Sequence, residues 1–126
     1  MLWVSYGKFS REGVQGLLAN PQNRAGAIEK LMAAYEGKLV SYHLLLNGDI
    51  DFFIVSDIPE EKAADLGLVN ALLVRGSGAV ETITTVPACR ADEAVSLMRR
   101  ARDMASRQAY KSPAGHDYFP REGTRG

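Results

Sequence analysis

The sequence predicts an α+β fold: a ferredoxin-like βαββαβ arrangement with a four-stranded antiparallel sheet, two helices on one face and an extra C-terminal helix. Four segments are rich in β-branched and aromatic residues, as strands are. Two stretches between them carry apolar residues at the three- and four-residue spacing of a helix. Right-handed crossovers place both of these helices on the same face of the sheet. A length of 126 residues leaves room for one compact domain.

The first strand and the first helical region are bounded by clear signals. The strand is predicted over 2–9 and ends before Ser10, which can cap a short helix. Asn20 precedes Pro21, a residue suited to the first helical position, so a longer helix is predicted to begin there. Gly37 is predicted to end that helix in the left-handed conformation. Its apolar stripe consists of Ile28, Leu31, Met32 and Tyr35.

The two middle strands form a predicted hairpin over 39–46 and 50–58. Asn47-Gly48 between them is typical of a type I′ turn, which needs positive φ at both central positions. A second helix is predicted to begin near Pro59 and to end at Gly76-Ser77-Gly78. It continues through Ala63, Ala64, Leu68, Leu72 and Leu73.

The fourth strand and the C-terminal segment complete the chain. The strand is predicted over 79–86, which is rich in Val, Ile and Thr, and Pro87 ends it. A third helix is predicted over 90–110, followed by a tail rich in Pro, Gly and charged residues. The predicted organisation is therefore a domain over 1–89, a helical extension over 90–111 and a flexible tail over 112–126.

Apolar residues are predicted on both faces of the middle strands. With a two-residue turn, even positions of strand two share a face with odd positions of strand three. One face then carries Val40, Tyr42, Leu44 and Leu46 with Asp51, Phe53 and Val55; the other carries Leu39, Ser41, His43 and Leu45 with Ile50, Phe52, Ile54 and Ser56. Two helices cover only one face, so we expect the same face of a second subunit, or else the third helix, to cover the other.

Four polar residues of this hairpin are the candidate ligand-binding residues. His43 is predicted beside Ser41 and Ser56, where it acts as a general base or ligand contact, or as a hydrogen-bonded interface histidine. Asp51 is predicted on the opposite face, so it is not expected to pair with His43. It is a further site candidate, or a strand-end aspartate that accepts backbone hydrogen bonds.

Composition and motifs argue against several functions. Fifteen Lys and Arg balance fifteen Asp and Glu, so no overall basic field favours nucleic acid. No apolar run is long enough to cross a membrane and no signal peptide is evident, so a cytoplasmic location is expected. The single Cys89 allows neither an internal disulfide nor a cysteine-based zinc site. Gly76-x-Gly78 precedes a strand rather than a helix, so it is not a dinucleotide or phosphate loop. No cofactor and no metal are expected.

Five short segments, spread over residues 2–87, resemble a known family. They are Lys8-Phe9-Ser10-Arg11-Glu12-Gly13, Asn20-Pro21-Gln22-Asn23-Arg24-Ala25, Gly37-Lys38-Leu39, Gly48-Asp49-Ile50-Asp51 and Gly78-Ala79-Val80-Glu81-Thr82. Together they are similar to the GYD domain family, small bacterial and archaeal proteins named for a Gly-x-Tyr-Asp-like hairpin signature. Gly48 and Asp51 match that signature, whereas Ile50 stands where the family usually has Tyr.

The resemblance implies a dimeric α+β barrel of largely uncharacterised function and carries over no catalytic residue. Everything from Arg90 onward is expected to lie outside the family core. The leading hypothesis is a homodimer, or a higher homo-oligomer, that binds a small molecule or assembles through its sheet-lined interface. The alternative is a cofactor-independent enzyme, monooxygenase- or isomerase-like, that uses His43 as a base on a small apolar substrate. A third hypothesis is an oligomerisation or sensor module acting through 90–110.

Overall fold

The structure, a computed structural model, describes residues 1–45 and 48–119 and divides the chain into two compact units, Met1–Ala88 and the remainder from Cys89. The elements of the first unit are β1 (Leu2–Phe9), α1 (Arg11–Ala19), α2 (Ala25–Ala34), β2 (Lys38–Leu44), β3 (Phe52–Asp57), a 3₁₀ turn (Glu60–Lys62), a π-helical segment (Asp65–Val69), α3 (Asn70–Gly76) and β4 (Val80–Ala88). The second unit contains α4 (Ala91–Ser106).

The four strands form one antiparallel sheet in the order β2-β3-β1-β4. The predicted α+β class with a four-stranded antiparallel sheet is therefore confirmed. Burial alternates along the central strands: Trp3 and Ser5 on β1 are buried, whereas Val4 and Tyr6 between them are only half-buried. We call the face that carries Trp3 and Ser5 the helix face, because helix residues pack against it, and the opposite face the second face.

The first helical region begins as predicted but continues differently. Ser10 caps α1, since its hydroxyl accepts a hydrogen bond from the Gly13 amide at 3.0 Å. Asn20 does not start the next helix; its amide donates to the Gly16 carbonyl and ends α1. The side chain of Asn23 instead accepts a hydrogen bond from the amide of Ala25, where α2 begins. The α1–α2 connection is therefore longer than the sequence predicts.

The prediction that Gly37 ends α2 in the left-handed conformation is also wrong, because the residue with positive φ at the end of α2 is Glu36, at 60°. Gly37 is needed for a different reason. A Cβ atom there would lie 2.2 Å from the Ile58 Cδ1 atom and 2.7 Å from the Asp57 carbonyl oxygen. Glycine at this position thus permits a close approach of two chain segments.

The predicted register of the hairpin is wrong by one residue. Tyr42 pairs with Ile54 and His43 with Phe53, so over residues 41–44 even positions of β2 share a face with even positions of β3. A register shift between Leu39 and Ser41 leaves Leu39 opposite Ser56, as predicted. The pairing continues to a hydrogen bond from the Leu45 amide to the Asp51 carbonyl, at 2.9 Å. A two-residue turn would instead pair position 44 with 51, so the connection is one residue longer than predicted. Asn47 of the predicted turn lies outside the described residues.

The best-buried cluster packs where β1 begins and β3 ends. We call this part of the first unit the closed end. It combines one aromatic ring from the sheet with side chains from α2, the segment after β3 and the π-helical segment. Its members are Trp3, Met32, Tyr35, Ile58 and Leu66, with exposed fractions between 0% and 7%.

Candidate functional site

The opposite end of the same sheet–helix layer contains a cavity of about 830 Å³. It lies between the helix face and helices α1, α2 and α3, near the point where β1 ends and β3 and β4 begin. This volume is within the range of small-molecule sites, about 300–1,000 Å³. The apolar part of its wall is formed by Phe9, Leu17, Ile28, Leu31, Met32, Phe52, Ile54, Leu73, Val74, Val80 and Ile83.

Helix α1 forms the roof of the cavity and is fixed at its first turn. The Ser10 amide donates to the Ala79 carbonyl at 3.0 Å, and the Ser10 hydroxyl donates to the Gly78 carbonyl. Gly13 lies so close to the start of β4 that a Cβ atom would be 2.2 Å from the Ala79 oxygen. The first turn of α1 therefore packs directly on the residue that precedes β4.

The rest of α1 contributes little side-chain volume to the interior. Gly16, one turn after Gly13, lines the cavity, and no atom lies within 4 Å of where its Cβ would be. Leu17 is half-buried, whereas Leu18 is 76% exposed. The cavity exists partly because the inward position of α1 next to Leu17 is occupied by glycine.

Two aromatic rings form part of the cavity floor. The rings of Phe9 and Phe52 lie 5.2 Å apart between centroids and are tilted by 42°. Phe52 is buried and Phe9 half-buried. Such a pair offers an apolar surface with a defined shape to a flat or branched hydrocarbon group.

Polar residues of the α1–α2 connection form the rim. The Gln22 side chain donates to the Asn20 carbonyl at 3.1 Å, and Arg24 Nη1 donates to Gln22 Oε1 at 3.0 Å. Tyr42 of β2 lies on the same wall; burial raises its pKa, and the positive charge of Arg24 acts in the opposite direction. Arg24 forms no ion pair within residues 1–45 and 48–119. The rim thus presents a cation held in place by an amide.

A single buried amide lines the deeper part of the cavity. Asn70, the first residue of α3, is 3% exposed, and its Oδ1 atom accepts a hydrogen bond from the Tyr35 hydroxyl at 3.3 Å. Burial, together with the negative charge of Asp65, raises the pKa of Tyr35, so this hydroxyl keeps its proton at neutral pH. Tyr35 therefore acts as a donor to Asn70.

The π-helical segment determines where Asn70 lies. The backbone amide of Asn70 donates to the carbonyl of Asp65, five residues earlier, so the wider turn closes at Asn70. Leu66 is buried in the closed end and Asn70 lines the cavity, whereas Leu68 and Leu72 are 69% and 75% exposed. The inward face of this helical region is consequently formed by Leu66, Asn70 and Leu73 rather than by Leu68 and Leu72. π-Helical turns are frequent at functional sites.

None of the four residues predicted from the sequence lines this cavity. Ser56 is 1% exposed on the helix face, so it does not share a face with His43 as predicted. His43 is exposed on the second face, opposite Phe53, and the half-buried Ser41 lies opposite Val55. His43 and Ser41 therefore share a face, and Ser56 does not belong to their group.

Asp51 lies nearer to His43 than the sequence predicts. Because Asp51 precedes Phe53 by two positions, the alternation of the strand puts it on the second face with His43. Its Oδ2 atom accepts a hydrogen bond from the Phe9 amide at 3.0 Å, and its Oδ1 atom lies 4.0 Å from Lys8 Nζ. The predicted separation of Asp51 from His43 is therefore wrong, while the interpretation of Asp51 as a strand-end acceptor of a backbone hydrogen bond agrees with the structure.

The residues of the cavity were missed for identifiable reasons. Asn70 stands four residues after Leu66 and three before Leu73, so it interrupts an apolar helical stripe, a signal that a search for buried polar residues would have found. Arg24 and Tyr42 are far apart in sequence and meet only through the fold. Within the described residues no group of His, Cys, Asp and Glu could hold a metal ion, and no helix is long and apolar enough to span a membrane.

These features define a class of protein: a small α+β domain in which one sheet face and three helices line a partly open, mostly apolar cavity. The chain belongs to the GYD domain family, whose model matches residues 3–98. The match extends over the first half of α4, so the expectation that the family core ends before Arg90 is wrong. No curated protein and no solved structure matches the chain.

Proposed function

We propose that the protein binds a small, predominantly apolar organic molecule in the cavity beneath α1. The observation that carries this proposal is the contrast between a volume of about 830 Å³ and a wall made mostly of aliphatic and aromatic side chains. Water in such a space finds few hydrogen-bond partners, so an apolar molecule of suitable size displaces it favourably. Each Å² of apolar surface removed from water contributes roughly 25 cal/mol.

The rim gives the bound molecule an orientation. Arg24, held by Gln22, and the hydroxyl of Tyr42 offer donors to a negatively charged or polar end group. The Phe9 and Phe52 rings receive the apolar part. A ligand that uses the rim therefore has a hydrocarbon or aromatic body inside the cavity and a polar group near solvent.

Two glycines provide a matched test of this site. Gly16 lines the cavity and Gly26, on α2, does not, yet a Cβ atom at either position meets no atom within 4 Å. We expect Gly16→Leu to weaken binding of 1-anilinonaphthalene-8-sulfonate, an aromatic anionic dye, at least tenfold, and Gly26→Leu to leave it unchanged. Fluorescence titration of folded protein measures both. Equal dye affinity in the two variants would exclude the cavity as the site.

Self-association through the second face is the other candidate function. Val4 and Tyr6 of β1 and Phe53 and Val55 of β3 are half-buried residues of this face. A second copy that places the same face against it would remove these side chains from water. Sedimentation equilibrium of the wild type and of Phe53→Lys tests the proposal. We expect a dimer for the wild type and weaker association for the variant; a wild-type monomer at high concentration contradicts it.

A further inference from the structure

The side-chain amide of Asn70 differs from the other groups in the cavity wall in its hydrogen bonding. Asn70 is 3% exposed, and its amide oxygen is occupied by the Tyr35 hydroxyl. Its amide nitrogen has no hydrogen-bond partner within the described residues, yet it is not among the fully occluded polar atoms. A buried donor without a partner in a residue that lines a cavity is available to a molecule that occupies the cavity.

The orientation of this donor is held from two sides. Tyr35 keeps its proton and donates to the amide oxygen, which turns the NH₂ group of Asn70 away from Tyr35. The backbone of Asn70 is held by the π-type hydrogen bond to Asp65. Because both the side chain and the backbone are fixed, little freedom is lost when a ligand oxygen accepts from the amide.

We propose that Asn70 is a specificity-determining residue that donates a hydrogen bond to a carbonyl oxygen of the bound molecule. This inference rests on the proposed function and names its ligand class: apolar carbonyl compounds. A carbonyl fits better than a hydroxyl, because a hydroxyl would bring a donor of its own to a wall that is mostly apolar. A pure hydrocarbon would leave the Asn70 donor unpaired.

A pair of probes that differ in one group tests the proposal. 2-Acetylnaphthalene carries a carbonyl, and 2-ethylnaphthalene has nearly the same shape without it. We expect the wild type to bind the ketone about tenfold more tightly than the hydrocarbon, as one additional hydrogen bond allows. The infrared carbonyl stretch of the bound ketone should lie below its value in alkane solution, since a hydrogen bond weakens the C=O bond.

Two variants assign the effect to Asn70. Asn70→Leu removes the donor at similar volume, so we expect it to abolish the preference for the ketone while the hydrocarbon binds at least as well as before. Tyr35→Phe leaves the Asn70 amide in place but frees its orientation, so we expect a smaller loss of preference. Ser77→Ala is the control: Ser77 also lines the cavity, but its hydroxyl donates to the Val74 carbonyl at 2.6 Å. The preference should survive that substitution.

The outcomes separate this inference from the proposed function. If neither naphthalene binds the wild type, the cavity is not a site for molecules of this class and both proposals fail. If both bind equally and the carbonyl stretch is unshifted, the cavity proposal stands and the role of Asn70 is refuted. A preference that persists in Asn70→Leu refutes it as well. Should that variant not fold, the infrared measurement on the wild type decides alone.

Discussion

The two ends of one sheet–helix layer differ in how their interiors are filled. At the closed end, large side chains from four segments meet, and Ile58 and Leu66 are 0% and 1% exposed. At the cavity end, the same sheet and the same helix α2 border a partly open volume of about 830 Å³, and the α1 residues that line it include Gly13 and Gly16. The comparison teaches that the cavity arises from side-chain size and from one short helix held at its first turn. The closed end is filled by large side chains, whereas the other end leaves the volume that the proposed function assigns to a ligand.

The largest expected effect comes from truncating a side chain at each end. We expect Ile58→Ala to lower the free energy of unfolding by about 2–5 kcal/mol, because Ile58 is fully buried in the closed end. Ile83→Ala, on the cavity wall and only half-buried, should cost about 1 kcal/mol, since fewer contacts are lost there. Denaturation with urea measures both. Equal costs would show that the two ends are packed alike.

Filling the cavity with a larger side chain should reduce the difference in packing between the two ends. Gly16→Leu removes a helix-interior glycine and places a leucine in open space beside the cavity, so we expect a gain of about 2 kcal/mol in unfolding free energy. Gly26→Leu gains only the helix-propensity part, about 1 kcal/mol or less. Thermal and urea unfolding of both variants measure the difference. A destabilised Gly16→Leu protein would mean that the space beneath α1 is smaller than described.

The buried tyrosine of the closed end should make stability depend on pH. Burial raises the pKa of Tyr35 above its ordinary value of 10.0 in the folded state. Below that value both states keep the proton and stability is unaffected; above it the unfolded state releases the proton first, so stability falls as pH rises. Urea unfolding between pH 8 and 11 should show this fall in the wild type and a smaller one in Tyr35→Phe. An identical slope in both would assign the effect to other groups.

The smallest effect concerns the rim. The positive charge of Arg24 opposes the effect of burial on the pKa of Tyr42. Arg24→Gln should therefore raise that pKa further, since only burial then acts. Ultraviolet absorbance at alkaline pH, with Tyr42→Phe to identify the signal, measures the change. Lys30→Gln on the exposed side of α2 is the control and should leave the pKa of Tyr42 where it is.

The strand segments and the antiparallel sheet follow from the sequence because alternation and breaker residues are local signals. The hairpin register did not follow over residues 41–44, because one additional residue in the connection after Leu45 moves their side chains relative to β3. This single difference separated Ser56 from His43 and brought Asp51 to the side of His43. Leu39 keeps its predicted partner Ser56, since the register shifts back between Leu39 and Ser41.

The cavity was beyond sequence reasoning for a different reason. Leu68 and Leu72 have the spacing of a buried stripe, yet they are exposed, because the π-helical segment changes which residues face inward. No residue pattern in that segment predicts a backbone hydrogen bond between residues five positions apart. A cavity also forms where side chains from several distant segments are too small to fill the space between them. No single segment carries a motif that predicts this.

The wider helical turn before Asn70 has a consequence for how this domain can diversify. A residue in a helix is rotated by about 100° from its neighbour, so adding or losing one position in Asp65–Val69 would bring a different side chain to the place of the Asn70 amide. The chemical preference of the chamber could then change while its size and the sheet beneath it stayed the same. If the cavity binds a ligand as proposed, length variation in these five residues is a route to a new selectivity that needs no substitution across the whole wall.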